Sequence, residues 1–269
     1  MGQKKTFEQP HVDSDTVAEL SKKLLEANNE LKRAELERKN MLENISHDLR
    51  APLTAIRSAV DYLKHRNDEG GDAITGEELS SYLKLLDNRT NTLEVLIQDL
   101  FFLTCLDSGR EKFVFKVILL AQFLEEHFFA TEVDEKFKNY DLRLNVKEDM
   151  DVTVRADVSK LSRVLDNLLN NARKYSKEES IIELGAYVKN NTAFFYVKDN
   201  GNGISKEDVP YIFDRTFRAS DSRTPEKEGS SGLGLSIAKS IIEKHDGNIY
   251  CESKEGEGST FTVELPIVK

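Results

Sequence analysis

The sequence predicts an α+β protein, an antiparallel helical hairpin of the kind that pairs into a dimeric four-helix bundle, followed by an α/β sandwich. Three observations carry this. Apolar residues recur at helical spacing from Val17 to Leu63 and again from Leu79 to Leu103. A turn cluster, Asn67-Asp68-Glu69-Gly70-Gly71-Asp72, separates the two runs. After Gly109 the pattern changes to short strands in pairs, interleaved with helices but without strict strand–helix alternation, which favours a mixed sheet over a doubly wound one. The boundaries are 1–40 for an unpatterned start and a coiled-coil helix, 41–108 for the hairpin, and 109–269 for the sandwich.

The first dozen residues lack periodicity and read as frayed. Val17, Leu20, Leu24, Ala27, Leu31, Ala34, Met41 and Ile45 then follow a seven-residue pattern interrupted at Arg38, a short coiled-coil seam. An amphipathic helix packed on another element fits the same pattern. The stripe continues through Leu49, Leu53, Ile56, Val60 and Leu63. Thr75 with Glu78 three residues on reads as a capping box opening the second helix, which stops around Asp107-Ser108-Gly109. A lone hairpin cannot cover both apolar faces, so a second copy is the simplest cover.

In the sandwich, strands are predicted at Lys112–Val117, Leu142–Val146, Val152–Arg155, Ile181–Val188, Ala193–Lys198, Asn248–Ser253 and Thr260–Leu265, with helices at Leu119–Phe137, Val158–Tyr175 and Leu233–His245. Gly256-Glu257-Gly258 reads as the turn of the last hairpin.

Composition excludes several classes. The chain has 269 residues, 39% of them hydrophobic, enough for a packed core, so disorder is excluded for most of the length. With 38 Lys and Arg against 48 Asp and Glu the formal charge is −10, which repels a nucleic-acid backbone. Cys105 and Cys251 stand far apart and read as free thiols of a reducing compartment. No apolar run is long enough to span a bilayer and no secretory signal is visible, so the expectation is a cytoplasmic chain making no membrane contact of its own, with the cytosolic part of a membrane-anchored protein as the alternative.

Chemistry concentrates at a few places. His47 lies roughly opposite the apolar stripe of its helix, which argues against a buried structural histidine. Asp48 adjoins it and can take a proton from one ring nitrogen, leaving the other a better nucleophile. Pro52 removes a backbone hydrogen bond just beyond. Asn167, Asn171 and Lys174 share one stripe of a helix whose other face is apolar. Amide oxygens and an ammonium suit Mg²⁺ and phosphate, although a solvated face has the same look. Asp199-Asn200-Gly201-Asn202-Gly203 follows a strand and alone is an ordinary turn. Gly229-Ser230-Ser231-Gly232-Leu233-Gly234-Leu235 precedes a helix whose first N–H groups can face an anion, yet it matches neither a P-loop nor a dinucleotide fingerprint.

Taken in order, these segments resemble the cytoplasmic part of two-component sensor histidine kinases. Ser46-His47-Asp48-Leu49-Arg50-Ala51-Pro52-Leu53 is similar to the H box, and Asn167 to Tyr175 to the N box. Asp199-x-Gly201-x-Gly203 matches the first glycine box, Ile212 to Arg218 the F box, and Gly232-Leu233-Gly234-Leu235 the second glycine box. The resemblance implies a dimerisation and histidine phosphotransfer hairpin and a Bergerat-type catalytic ATP-binding domain. It implies phosphorylation of His47 with Asp48 assisting, Asn171 as a direct Mg²⁺ ligand with Asn167 supporting it, and Lys174 and Tyr175 at phosphate and ribose. Asp199 is implied at the adenine amino group, with Gly201, Gly203, Gly232, Leu233, Gly234 and Leu235 forming the two glycine boxes. Residues 202–232 are implied to form the ATP lid, with Arg215 and Arg218 near the terminal phosphate. The implied partners are a second copy of the chain and the receiver domain of a response regulator.

The departures are Ala51, where relatives with a developed phosphatase carry Thr or Asn, Ser230 in place of a common glycine and Thr216 in place of a common aromatic. A methyl group cannot orient a water, so weak phosphatase activity is expected. Two rivals remain at this stage, an ATPase of the same class that clamps rather than phosphorylates, and a non-enzymatic dimeric scaffold.

Overall fold

The computed structural model describes residues 14–68, 74–147, 150–215, 217 and 232–268. The unpatterned first dozen residues, the centre of the hairpin turn and positions Thr216, Arg218 and Ser230 lie outside the described residues. The chain divides into two units, Met1–His47 and Asp48–Lys269.

The first unit is the leading part of one long helix, α1 (Ser14–Asp68). Its surface carries i,i+4 ion pairs such as Glu19–Lys23 at 2.7 Å. The seam residues Leu20, Leu24 and Leu31 are 60%, 73% and 60% exposed, an apolar row that this unit leaves uncovered.

In the second unit the rest of α1 packs on α2 (Gly76–Asp107) as a helical hairpin. α1 continues through Pro52, which is buried. Thr75 caps α2 by accepting from the Glu78 N–H at 3.2 Å, and the Thr75 backbone N–H donates back to the Glu78 carboxylate, so the capping box closes. The same carboxylate takes the Tyr62 hydroxyl at 2.7 Å, and Tyr62 stacks on Tyr82 with ring centroids 4.8 Å apart. These contacts fix the start of α2 against the end of α1. Leu53, expected within the packed stripe, is instead 59% exposed, while Pro52 and Ala59 are buried. Leu79, Leu83, Ile97 and Phe101 of α2 are also exposed and share one helix face, a second apolar row that the described residues leave uncovered, and Val95 is exposed on another side.

The sandwich follows as β1 (Lys116–Leu119), α3 (Leu120–Glu132), β2 (Asp141–Asn145), β3 (Thr153–Ala156), α4 (Val158–Tyr175), β4 (Ile181–Lys189), β5 (Thr192–Asp199), α5 (Gly234–Lys244), β6 (Asn248–Lys254) and β7 (Gly258–Pro266). The sheet order is β2-β4-β5-β7-β6, parallel only between β2 and β4, with β1 and β3 forming a separate antiparallel pair. Alternation decides the layers. Ile182, Leu184, Phe195, Val197, Phe261 and Val263 point inward beneath the helices, where Leu161, Leu165 and Leu168 of α4 and Ile237 and Ile241 of α5 are fully buried. Each such side chain contributes about 1.5–3 kcal/mol through burial. On the outer face Tyr196 lies over Gly185, where a Cβ would come within 2.3 Å of its ring, and donates to Glu183 at 2.6 Å. Among the described residues no helix is long and apolar enough to cross a membrane.

Two boundaries differ from expectation. The alternation at 112–117 predicts a strand, but the ladder starts only at Lys116. Phe113 and Phe115 instead lie edge-on to His245, with centroids 5.7 and 5.1 Å away, so their alternation reports packing of an extended connector. The helix predicted to Phe137 ends at Glu132, because Asp134 accepts from the Lys136 N–H at 2.9 Å and opens a separate 3₁₀ turn, Glu135–Phe137.

Asp157 joins these parts. Its carboxylate caps α4 through the Lys160 N–H and also takes the Val114 N–H at 2.7 Å and the Ser159 hydroxyl at 2.7 Å. Burial works to raise its pKa, but these donors outweigh burial and hold it below the usual carboxylate range. The Asp157 N–H donates to His245 Nε2 at 3.0 Å, and His245 Nδ1 faces the Ile241 carbonyl at 2.8 Å. That geometry fits neutral imidazole with its proton on Nδ1, and burial lowers the His245 pKa accordingly.

Candidate active site

The apolar face of α4 fixes the helix on the sheet and leaves its polar stripe on the opposite side. Asn167, Asn171, Lys174 and Tyr175 are all half-buried. Asn167 Nδ2 donates to the Gly234 carbonyl at 2.9 Å, which joins the middle of α4 to the start of α5. The Lys174 ammonium lies 5.2 Å from the centre of the Tyr175 ring. The Tyr175 carbonyl accepts from the Asn202 N–H at 3.0 Å, which joins the end of α4 to the loop after β5.

Asp199 ends β5 opposite Ser259 of β7 and is only 5% exposed. Its Oδ1 accepts from the Gly201 N–H at 2.8 Å, and the Ser259 N–H also donates to the carboxylate. Burial nevertheless raises its pKa above the usual range. The glycines around it are sterically required. A Cβ on Gly201 would lie 2.5 Å from the Tyr175 carbonyl oxygen, and one on Gly203, at φ +67°, would lie 2.0 Å from the Lys254 carbonyl oxygen. Ser253 Oγ accepts from the Ile204 N–H at 2.8 Å, and the Asn202 carbonyl accepts from the Gly256 N–H at 2.7 Å. The loop after β5 is thus stitched to the β6–β7 turn, leaving a buried carboxylate at its base.

Gly232 takes φ +62° ahead of α5, Leu233 is buried and Leu235 half-buried. Leu233, the residue ahead of α5, gives no side-chain cap to the helix, whose first N–H groups form the end that suits an anion. Arg215 points to the end of α2, where both oxygens of Asp107 take its guanidinium nitrogens at 2.5 Å. Within the first unit His47 is exposed; in the second Asp48 is half-buried and Ala51 exposed.

The structure thus brings α4, the loop after β5 and the start of α5 into one contiguous frame. Two of its members lack a signal in the sequence. Ser259 reaches Asp199 only through the β5–β7 register, and Gly258, read as a plain turn glycine, sits where a Cβ would lie 2.1 Å from the Asp199 carbonyl oxygen, at φ +105°. The amide oxygens of Asn167 and Asn171 are hard donors suited to Mg²⁺, and with the Asn167 nitrogen committed to Gly234 its oxygen remains the accepting end. Among the described residues no group of three or more His, Cys, Asp or Glu could hold a metal by itself.

Comparison with known proteins agrees with this geometry. Residues 37–109 match the His Kinase A (phospho-acceptor) domain, and residues 156–269 match the histidine kinase-, DNA gyrase B- and HSP90-like ATPase family. The chain is 34% identical to the sensor histidine kinase WalK of Bacillus subtilis over 239 residues, covering 88% of this chain and 38% of that protein. It is also 34% identical to the sensor protein KdpD of Clostridium acetobutylicum, covering 92% of this chain and 27% of that protein. The chain therefore spans well under half the length of these two relatives. Among solved structures it is similar to the histidine kinase ThkA in complex with the response regulator TrrA, with a TM-score of 0.67 at 25% identity over 91% of this chain and 67% of that one. The Acinetobacter baumannii histidine kinase AdeS shares the fold, with a TM-score of 0.62 at 20% identity over 83% of this chain and 98% of that one. By these matches and by the frame built on α4, β5 and α5, the chain belongs to the sensor histidine kinases and carries both their phosphoacceptor domain and their ATPase domain.

Proposed function

We propose that this chain autophosphorylates His47 from Mg·ATP and passes the phosphoryl group to an aspartate on the receiver domain of a response regulator. The observation that carries the reading is the Asp199 carboxylate, buried at the base of a glycine loop and held by two backbone N–H groups. A carboxylate in that setting is built to accept from an exocyclic amino group such as that of adenine. Asn171, supported by Asn167, holds Mg²⁺, which screens the charge of the polyphosphate. Lys174 and Tyr175 contact phosphate and ribose, the start of α5 faces the phosphates, and Arg215 and Arg218 approach the terminal phosphate.

His47, exposed on α1, is the acceptor. Its Nε2 forms the bond to the γ-phosphorus while the bond to the β,γ-bridging oxygen breaks, and ADP leaves. Asp48 orients the opposite ring nitrogen and takes its proton. The protein positions groups and stabilises charge and forms no other covalent intermediate. A second copy covers the exposed leucines of α1 and α2, completing a four-helix bundle in which 41–108 is the phosphotransfer domain and 109–269 the catalytic domain. Ala51 leaves the phosphatase reaction weak. The chain works in the cytoplasm, where ATP is supplied.

Titration with Mg·ATP tests the nucleotide half of this reading. The wild-type chain binds and Asp199→Asn loses most of the affinity, because the amide offers one accepting oxygen in place of two. Equal binding by both would overturn the assignment of Asp199.

A further inference from the structure

We infer that Asp107 is a positioning residue that competes with the terminal phosphate of ATP for Arg215. The inference rests on the nucleotide-site reading above. Both oxygens of Asp107 engage both Nη atoms of Arg215 at 2.5 Å, the planar fork-to-fork geometry with which a guanidinium also takes a phosphate. One guanidinium cannot present that edge to a carboxylate and a phosphate together. The pair is 37% and 47% exposed, weak enough for a dianionic terminal phosphate to displace the carboxylate.

The contact does not stand alone. Asp99, Phe102, Leu103, Leu106 and Asp107 share one face of α2, and Phe102, Leu103 and Leu106 are buried. Asp99 pairs with Arg163 of α4 at 2.5 Å, Glu111 pairs with Lys160, and both of these cations lie over the Phe102 ring, at 4.1 and 4.6 Å. The last turns of α2 are thereby held on the ATPase domain at two acidic residues, Asp99 and Asp107, and the segment just beyond α2 at Glu111. Only the Asp107 pair engages a residue assigned to the nucleotide, so it links the position of α2 to occupancy of the γ-phosphate site. Displacement of Asp107 by ATP, and not by ADP, follows from the location of the contested edge.

The test is the ratio of Mg·ATP to Mg·ADP affinity for the full chain, for Asp107→Asn and for Asp107→Glu. The account predicts that Asp107→Asn tightens Mg·ATP about two- to fivefold, the range set by an exposed ion pair, with Mg·ADP unchanged. Asp107→Glu keeps a carboxylate and restores the wild-type ratio. A wild-type ratio in Asp107→Asn, or equal tightening of both nucleotides, overturns the inference while leaving the nucleotide site intact. Failure of the wild-type chain to bind either nucleotide overturns the site reading itself, and the inference with it.

Discussion

Asn167 ties the middle of α4 to the first residue of α5, donating from Nδ2 to the Gly234 carbonyl at 2.9 Å across 67 positions of sequence. Asn171 lies one turn further along the same helix face. The two asparagines are therefore predicted to separate by experiment. Asn167→Ala loses a structural hydrogen bond worth about 1 kcal/mol as well as the amide oxygen proposed to support Mg²⁺, so both thermal stability and Mg·ATP affinity are predicted to fall. Asn171→Ala lowers Mg·ATP affinity with a smaller change in melting temperature. Calorimetry and thermal melts on both variants check this, and equal melting shifts would contradict it.

His245 predicts the direction of a pH response. Burial lowers its folded pKa below the usual value of 6.5, so the unfolded chain takes up this proton first as pH falls. The resulting stabilisation is fully present above about 6.5, the usual histidine value, and is lost as pH drops from there toward the folded pKa. Protonation also removes the Nε2 acceptor used by the Asp157 N–H. Thermal melts between pH 7.5 and 5.5 are expected to show a decline that His245→Gln flattens. A decline of the same steepness in the variant would assign it to other groups.

Gly201 is set by sterics and not by its backbone angle. A methyl group there meets the Tyr175 carbonyl, the Ser176 hydroxyl and Asp199 Oδ1, all within 2.8 Å. Gly201→Ala is predicted to cost about 1–3 kcal/mol, as overpacking does, and to displace the Asp199 carboxylate, weakening Mg·ATP binding. Chemical denaturation and nucleotide titration measure the two effects. Unchanged binding in a folded variant would show that the loop yields without moving Asp199.

Ala51 is exposed one turn beyond His47. Ala51→Thr supplies the hydroxyl that can orient a water against a phosphorylated partner, and partner dephosphorylation is predicted to accelerate by up to about 10²-fold. Following loss of label from a phosphorylated receiver domain checks this, and an unchanged rate would remove Ala51 as the cause of a weak phosphatase.

How far the sequence carried depended on whether the cause was local. α4 begins and ends where the pattern places it because a capping Asp157 and an unbroken apolar stripe act within the helix itself. The Phe113–Phe115 stretch misled because alternation has two sources, a ladder and a row of rings against His245. Helical period alone places Leu53 inward, and it carries no information on whether another element covers that face, which the described residues leave open. The Asp199 motif and both glycine boxes were visible as strings. The reasons for them were not, since Gly203 meets Lys254, Gly258 meets Asp199 and Asn167 meets Gly234 only after the sheet is assembled.

The central claim is that His47 takes the γ-phosphate. Incubating the chain and His47→Gln with γ-labelled Mg·ATP tests it most directly. The account predicts acid-labile, base-stable label on the wild-type chain and none on the variant, with nucleotide binding retained by both. Equal labelling of the two, or ATP hydrolysis without label on either, would contradict it.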